Sequence, residues 1–141
     1  MKSPHQLHSV AKVSQQRERN AARHMGNTMR QVQQHQKQLD DLVGYRQQYI
    51  NDFNATAKTG LPVAQLRDYQ VFLQRLDVAI AQQQEKTLAS HKNCSQSKTN
   101  WKDKYDRSKM IDKVIEKRQD IENQKQNVRE QREQDDRARK D

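Results

Sequence analysis

Apolar residues recur at helical spacing along most of this chain, and one short segment interrupts the pattern. The interruption runs from Thr59 to Pro62 and is the only place where Gly and Pro occur together. Gly favours the position just past a helix end, and Pro favours the first turn of the next helix. The pattern therefore predicts a helix over about residues 4–57, a turn over about 58–62 and a second helix over about 63–119.

The spacing of the two arms is mirrored about that turn. On each arm four residues recur at steps of three and four, which puts them on one helical face. If the arms run antiparallel, the eight residues form level pairs whose numbers sum to 121: Gln38 with Gln83, Leu42 with Ala79, Tyr45 with Leu76, and Tyr49 with Phe72. We refer to these eight residues as the mirrored patch.

The mirrored patch has two interpretations. The heptad seam is the line of positions along which the two arms would meet. Leu42, Tyr49 and Leu76 fall on this seam. Tyr45, Phe72 and Ala79 lie to one side of it. Either all eight residues are ordinary core of a helix pair, or the patch is an exposed aromatic surface for another protein.

The two ends of the chain carry different signals. The segment Ser3–Gln6 has the spacing of a capping box, with Pro4 at the first helical position. Residues 120–141 are almost without apolar side chains and have no first-helix segment left to pair with. We therefore predict one domain over 1–141 whose C-terminal extension is helical or frayed, and expect that extension to order only against a partner.

Composition supports a helix pair over a globular domain. The chain is 31% hydrophobic and 32% charged, with three Gly and two Pro. This is too little apolar residue for an ordinary core, and the pattern is too regular for disorder. A two-stranded seam needs only about two apolar positions in seven. The predicted fold is all-α: a long two-helix antiparallel coiled-coil hairpin, with a parallel homodimer of extended helices as the alternative.

Several features bear on compartment and redox state. The chain has no apolar run of membrane-spanning length and no secretory signal near its start, so we expect a cytoplasmic protein. The single Cys94 excludes an internal disulfide framework and fits a reducing compartment. Since Cys94 falls on the seam, we expect it to be a small buried residue.

Positive charge is concentrated in the first helix. The net charge is +9, and residues 1–50 carry eight basic and three acidic residues. Arg23, Arg30 and Lys37 are seven apart, on the face that points away from the seam. They are either solvated surface or a site for an acidic protein or nucleic-acid phosphate.

Few residues suggest chemistry. The chain has no phosphate-binding glycine loop and no nucleophile elbow, and His5 and His8 lack further ligands nearby. We expect no catalysis, no metal and no cofactor. Trp101 and Tyr105, four apart, are either seam residues or anchors for a partner.

Several motifs resemble those of the FliJ family of the flagellar type III export apparatus. They are LxxYxxxY over Leu42–Tyr49, YQxFLxxLxxAIxQQ over Tyr69–Gln83, the short turn between them, and the lone Trp101. The resemblance implies a monomeric two-helix coil similar to the central stalk of rotary ATPases. It also implies a cytoplasmic position, peripheral to the inner membrane through partners.

The resemblance further implies three partners and no nucleic acid. These are the hexameric export ATPase, the cytoplasmic domain of the export gate, and export chaperones. The family's gate-docking residues map onto the mirrored patch. As candidate contacts with the ATPase ring we assign five basic residues: Arg19, Arg23, Arg30, Arg129 and Arg132. The competing functions are a coiled-coil adaptor of another system and, with less support, a basic nucleic-acid binder.

Overall fold

A computed structural model describes residues 3–140, so positions 1, 2 and 141 lie outside the described part. Helix α1 spans Pro4–Ala57 and helix α2 spans Val63–Lys140. No strand occurs within residues 3–140. The predicted all-α helical hairpin is confirmed.

Helix α1 begins with a reciprocal cap. The Gln6 amide donates to Ser3 Oγ at 3.2 Å, and the Ser3 amide donates to Gln6 Oε1 at 2.9 Å. These bonds satisfy backbone N–H groups that a helix start otherwise leaves unpaired. The predicted capping box is confirmed.

The turn depends on one glycine conformation. Gly60 has a φ of +92°, in the left-handed region that favours glycine, and its amide donates to the Ala57 carbonyl at 3.1 Å. Past the turn, the Pro62 carbonyl accepts from the amides of Gln65 and Leu66 and so opens α2. A left-handed glycine and a helix-starting proline therefore reverse the chain within a few residues.

The chain separates into two compact units. Unit 1 combines Met1–Ala22 with Asn100–Asp141, and unit 2 is the continuous segment Arg23–Thr99 that contains the turn. Both helices contribute to each unit. That residues 1–141 form a single domain stays a prediction.

Beside the turn, unit 2 is held by four aromatic rings. Phe53 stacks on Tyr69 at 3.6 Å between ring centroids, and Tyr69 stacks on Tyr49 at 5.3 Å. Tyr49 also meets Phe72 at 4.5 Å, which confirms this pair of the mirrored register. Contacts between aromatic rings add to the free energy gained by burying the rings.

Farther from the turn, the interface of unit 2 is built from small and polar side chains. The buried residues are Thr28, Leu76, Gln83, Thr87, Ser90, Cys94 and Ser97. Each buried hydroxyl lies within hydrogen-bond distance of a carbonyl three or four residues earlier on its own helix. Thr28 Oγ1 and Ser97 Oγ also lie 2.6 Å apart across the interface. Cys94 is buried, as predicted.

Unit 1 uses the same kind of interface. Its buried residues are Ala11, Ser14, Ala21 and Ser108. The Trp101 indole Nε1 donates to Glu18 Oε1 at 2.9 Å, which sets the register of the two segments. Trp101 is half-buried and Tyr105 exposed, with ring centroids 5.3 Å apart. Trp101 therefore belongs to the helix interface.

Helix α2 continues as helix to Lys140, beyond the start of α1. The Glu18–Trp101 register places Pro4 level with Ile115, and every residue over 116–140 is exposed. That this extension orders only against a partner stays a prediction. The segment contains no Gly or Pro, and Arg137, Arg139 and Lys140 occupy the last turn, where cations stabilise the helix dipole.

No helix within the described range is long and apolar enough to cross a lipid bilayer.

The same substitution should have opposite effects at two glycines. A Cβ at Gly44, inside α1, would meet no atom within 4 Å, so Gly44→Ala should raise the free energy of unfolding by about 0.5–1 kcal/mol. Gly60→Ala should lower it by about 1–2 kcal/mol because the left-handed backbone strains an L side chain. Urea unfolding followed by far-UV circular dichroism measures both. Destabilisation by Gly44→Ala would contradict the open space beside it.

Candidate protein-binding surfaces

Unit 2 contains all eight residues of the mirrored patch but gives them different environments. Gln38 and Tyr45 are exposed, with 57% of Tyr45 accessible. Four members are half-buried: Leu42, Tyr49, Phe72 and Ala79. Leu76 and Gln83 are buried between the helices. The patch therefore combines surface residues with residues that hold the hairpin together.

Gln83 is held by a polar contact across the interface. Its Nε2 donates to the His35 carbonyl at 3.1 Å and lies 3.2 Å from His35 Nδ1. Thr87 Oγ1 donates to the same carbonyl at 3.2 Å. A buried amide with its donors committed in this way stabilises the helix pair and presents little to a partner. Sequence reasoning placed Gln83 on the patch and did not find His35 as its partner.

An ion pair joins the two helices at the level of the patch. Arg46 Nε donates to Asp77 Oδ1 at 2.6 Å. The hydrogen bond to Asp77 raises the pKa of Arg46 above its ordinary value. The pair is largely exposed, so it adds little stability, but it links the arms next to Tyr45. Sequence reasoning missed this pair, although the level register put residues 46 and 77 within one turn of each other.

The basic stripe of α1 consists of Arg23, Arg30 and Lys37 and faces away from α2. Thr28 and His35 contact α2, and Arg30 and Lys37 each lie two residues, about 200°, farther around the helix. Arg23, Arg30 and Lys37 are all exposed. Within the described part of the chain, Arg30 bonds to Asn27 of its own helix. The stripe is thus free to meet an anionic surface.

The five candidate ring contacts do not share one unit. Arg19, Arg129 and Arg132 belong to unit 1, whereas Arg23 and Arg30 belong to unit 2. All five are exposed. In unit 1, Ile111 and Ile115 of α2 are half-buried and line grooves together with residues of α1. The same face of α2 continues into a run of mainly basic residues. That run comprises Arg118, Glu122, Lys125, Arg129, Arg132, Asp136 and Arg139.

The start of α1 and the adjoining part of α2 form a shallow apolar groove in unit 1. Pro4, Leu7 and His8 line one side, and Ile115 and Ile121 are among the residues of the other side. Within residues 3–140, no group of three or more His, Cys, Asp or Glu side chains is arranged to hold a metal ion.

Comparison with known proteins gives one consistent result. A family model described as Flagellar FliJ protein matches residues 2–140. The flagellar FliJ protein of Escherichia coli (strain K12) is 27% identical over 101 residues, which cover 72% of this chain and 69% of that protein. No solved structure gives a significant match. The family match covers both units and is not confined to the segment around the turn.

Two alanine substitutions within the mirrored patch should distinguish a residue that packs between the helices from one that lies on the surface. Leu76 is 8% exposed, so Leu76→Ala should lower the free energy of unfolding by about 2–4 kcal/mol. Tyr45 is 57% exposed, so Tyr45→Ala should change it by less than about 0.5 kcal/mol. Urea unfolding measures both variants. Equal destabilisation by the two would mean that Tyr45 packs within the hairpin.

Proposed function

The chain belongs to the flagellar FliJ family, a component of the flagellar protein export apparatus, and we propose that it serves there as a non-enzymatic stalk. In this role it binds the export ATPase ring, links the ring to the membrane export gate and escorts unloaded export chaperones. The observation that carries the proposal is the exposed aromatic face of a helical hairpin, centred on Tyr45, in a chain that matches the family from end to end.

The gate-docking role is supported by how the mirrored patch is built. The side chain of Tyr45 projects into solvent, and the half-buried rings of Tyr49 and Phe72 lie on the same hairpin. Aromatic residues on a rigid support lose little conformational entropy on binding and often dominate interfaces. Leu76 and Gln83 support that surface from beneath. The gate contacts we assign are therefore Gln38, Leu42, Tyr45, Tyr49, Phe72 and Ala79.

The ATPase-binding role is supported by the charge of unit 1. Its C-terminal helical segment is exposed from 116 to 140 and presents Arg129 and Arg132 where α1 no longer lies alongside. Basic side chains on an extended helix complement acidic loops that line a ring. Arg19 is a further exposed cation of the same unit, beside the Glu18–Trp101 contact. Arg23 and Arg30 of unit 2 add a second basic surface.

The location follows from these partners. We propose a position at the cytoplasmic face of the inner membrane, reached through the gate. This fits a chain in which no described helix is suited to span a bilayer.

Charge reversal in the C-terminal segment tests the ring contact. The double variant Arg129→Glu/Arg132→Glu should lose most of its stimulation of ATP hydrolysis by the cognate export ATPase, because two cations would become anions facing an acidic ring. ATP hydrolysis at moderate salt, titrated with the full chain, is the measurement. We expect about a tenfold or larger increase in the concentration needed for half-maximal stimulation.

The matched control is Arg67→Glu/Lys92→Glu, which makes the same charge change at exposed positions of unit 2. It should stimulate like the unmodified chain. Equal loss of ATPase stimulation in both double variants would mean that the effect depends on net charge and not on where the charges lie. Full stimulation by Arg129→Glu/Arg132→Glu would exclude these residues from the ring contact.

The gate contact is tested separately. Tyr45→Ala should weaken binding to the purified cytoplasmic domain of the export gate by about tenfold or more, as expected for an aromatic anchor. It should leave ATPase stimulation intact. Calorimetry or fluorescence anisotropy measures the affinity. The control is Tyr105→Ala, which removes another exposed tyrosine, from unit 1. Unchanged gate affinity for Tyr45→Ala would remove the mirrored patch from gate docking.

A further inference from the structure

Helix α2 carries a second apolar stripe that faces solvent. Val71 and Val78 are 49% and 53% exposed, and the half-buried Phe72 and Ala79 lie beside them. With Arg75 between them, these residues occupy positions i, i+1, i+4, i+7 and i+8, which is the spacing of one helical face. We refer to these five residues as the outer stripe.

The hairpin leaves the exposed members of the outer stripe unused, whereas Phe72 contacts Tyr49 of α1. Helix α2 packs on α1 through Tyr69 and the buried Leu76. Val71 and Val78 each follow one of these residues by two positions, which is about 200° around the helix. One apolar stripe is sufficient for a two-helix pair. The two exposed valines on the opposite side of α2 therefore point to a contact outside the described chain.

The centre of the outer stripe is an unpaired cation. Arg75 is exposed and forms no hydrogen bond or ion pair with any residue of the described range 3–140. It lines a shallow groove together with Val71, Gln74 and Val78. By contrast, Arg46 at the neighbouring level is bonded to Asp77. A guanidinium framed by valines can form a shielded, bidentate pair with an incoming carboxylate.

From this arrangement we propose that the outer stripe docks an amphipathic α-helix of a partner protein, and that this helix carries an Asp or Glu between apolar side chains. Val71 and Val78 are about 10.5 Å apart along α2, the length of two helical turns. This matches a short helix-on-helix contact, in which ridges of one helix fit grooves of the other. The carboxylate pairs with Arg75 while the apolar neighbours cover the two valines. Complementary charge sets the register of the partner helix.

The outer stripe and the gate-docking surface are separable. They share Phe72 and Ala79 on α2, but Tyr45 lies on α1, and Val71 and Val78 lie on the far side of α2. The helix-docking role does not depend on gate docking. Gate binding by the Tyr45→Ala variant and crosslinking at the outer stripe are separate measurements. Either proposal can therefore be wrong while the other holds.

Site-specific photo-crosslinking in the full chain tests the docking site. Benzoylphenylalanine is placed at Val71 or at Val78 in flagellated cells of the native species. The matched control position is Val43, a valine of α1 that is 48% exposed. Crosslinks at positions 71 and 78 should exceed those at 43 by at least about tenfold. Mass spectrometry should map them to one helical segment with an acidic residue within a turn of the crosslinked site.

A charge exchange then tests the role of Arg75. Arg75→Glu should lower the crosslink yield at position 78 by about tenfold, and changing the partner's acidic residue to Lys should restore it. The control is Arg67→Glu, at another exposed arginine of α2, which should leave the yield unchanged.

Several results would overturn the docking site. These are crosslinks at 71 and 78 no stronger than at 43, and crosslinks that map to a strand, a loop or a helix without an acidic residue. Crosslinks to a second copy of this chain alone, or an Arg75→Glu variant that is either silent or not rescued by the exchanged charge, would equally exclude it.

Discussion

The close contact of two helices through small side chains is the constraint on which this structure depends. Ser, Thr, Ala and Cys fill most of the buried positions in both units, and no described side chain is fully buried. Small residues supply little hydrophobic free energy. In unit 2 their hydroxyls lie against carbonyls of their own helix. Within residues 3–140, no buried side-chain polar atom lacks a hydrogen-bond partner. Such an interface can form because its buried polar groups are hydrogen-bonded. The burial of apolar surface contributes less to it.

That interface explains why the aromatic residues gather beside the turn. The rings of Tyr49, Phe53, Tyr69 and Phe72 bury far more area than Ser or Ala, so they supply the local stability that the rest of the seam lacks. The left-handed Gly60 fixes the reversal, and the rings fix the register next to it. The cluster therefore holds the two helices together beside the turn.

A two-helix pair also leaves most of each helix exposed. Some side chains therefore hold the helices together, and others face outward. Leu76 and Gln83 are committed to the interface, and Tyr45, Arg75 and the basic stripe face outward. Since a helix presents several faces, one chain can offer an aromatic surface, a valine–arginine surface and basic surfaces. This arrangement suits a protein whose work is to hold other proteins together.

The sequence by itself determined the hairpin, its turn, the N-terminal cap and the pairing of Tyr49 with Phe72, because these depend on local signals: helical periodicity, Gly60, Pro62 and the capping residues. It also determined the family, because the motifs that carry the resemblance are defined by residue spacing along the chain. Which members of the mirrored patch are exposed was decided only by the tertiary structure. Gln83 has the same place in the pattern as Gln38, yet it is buried because the His35 carbonyl on the other helix accepts its amide. The Arg46–Asp77 pair and the Trp101–Glu18 bond likewise join residues far apart in sequence. Periodicity identifies a face, whereas burial depends on which side chains of the opposite helix reach that face.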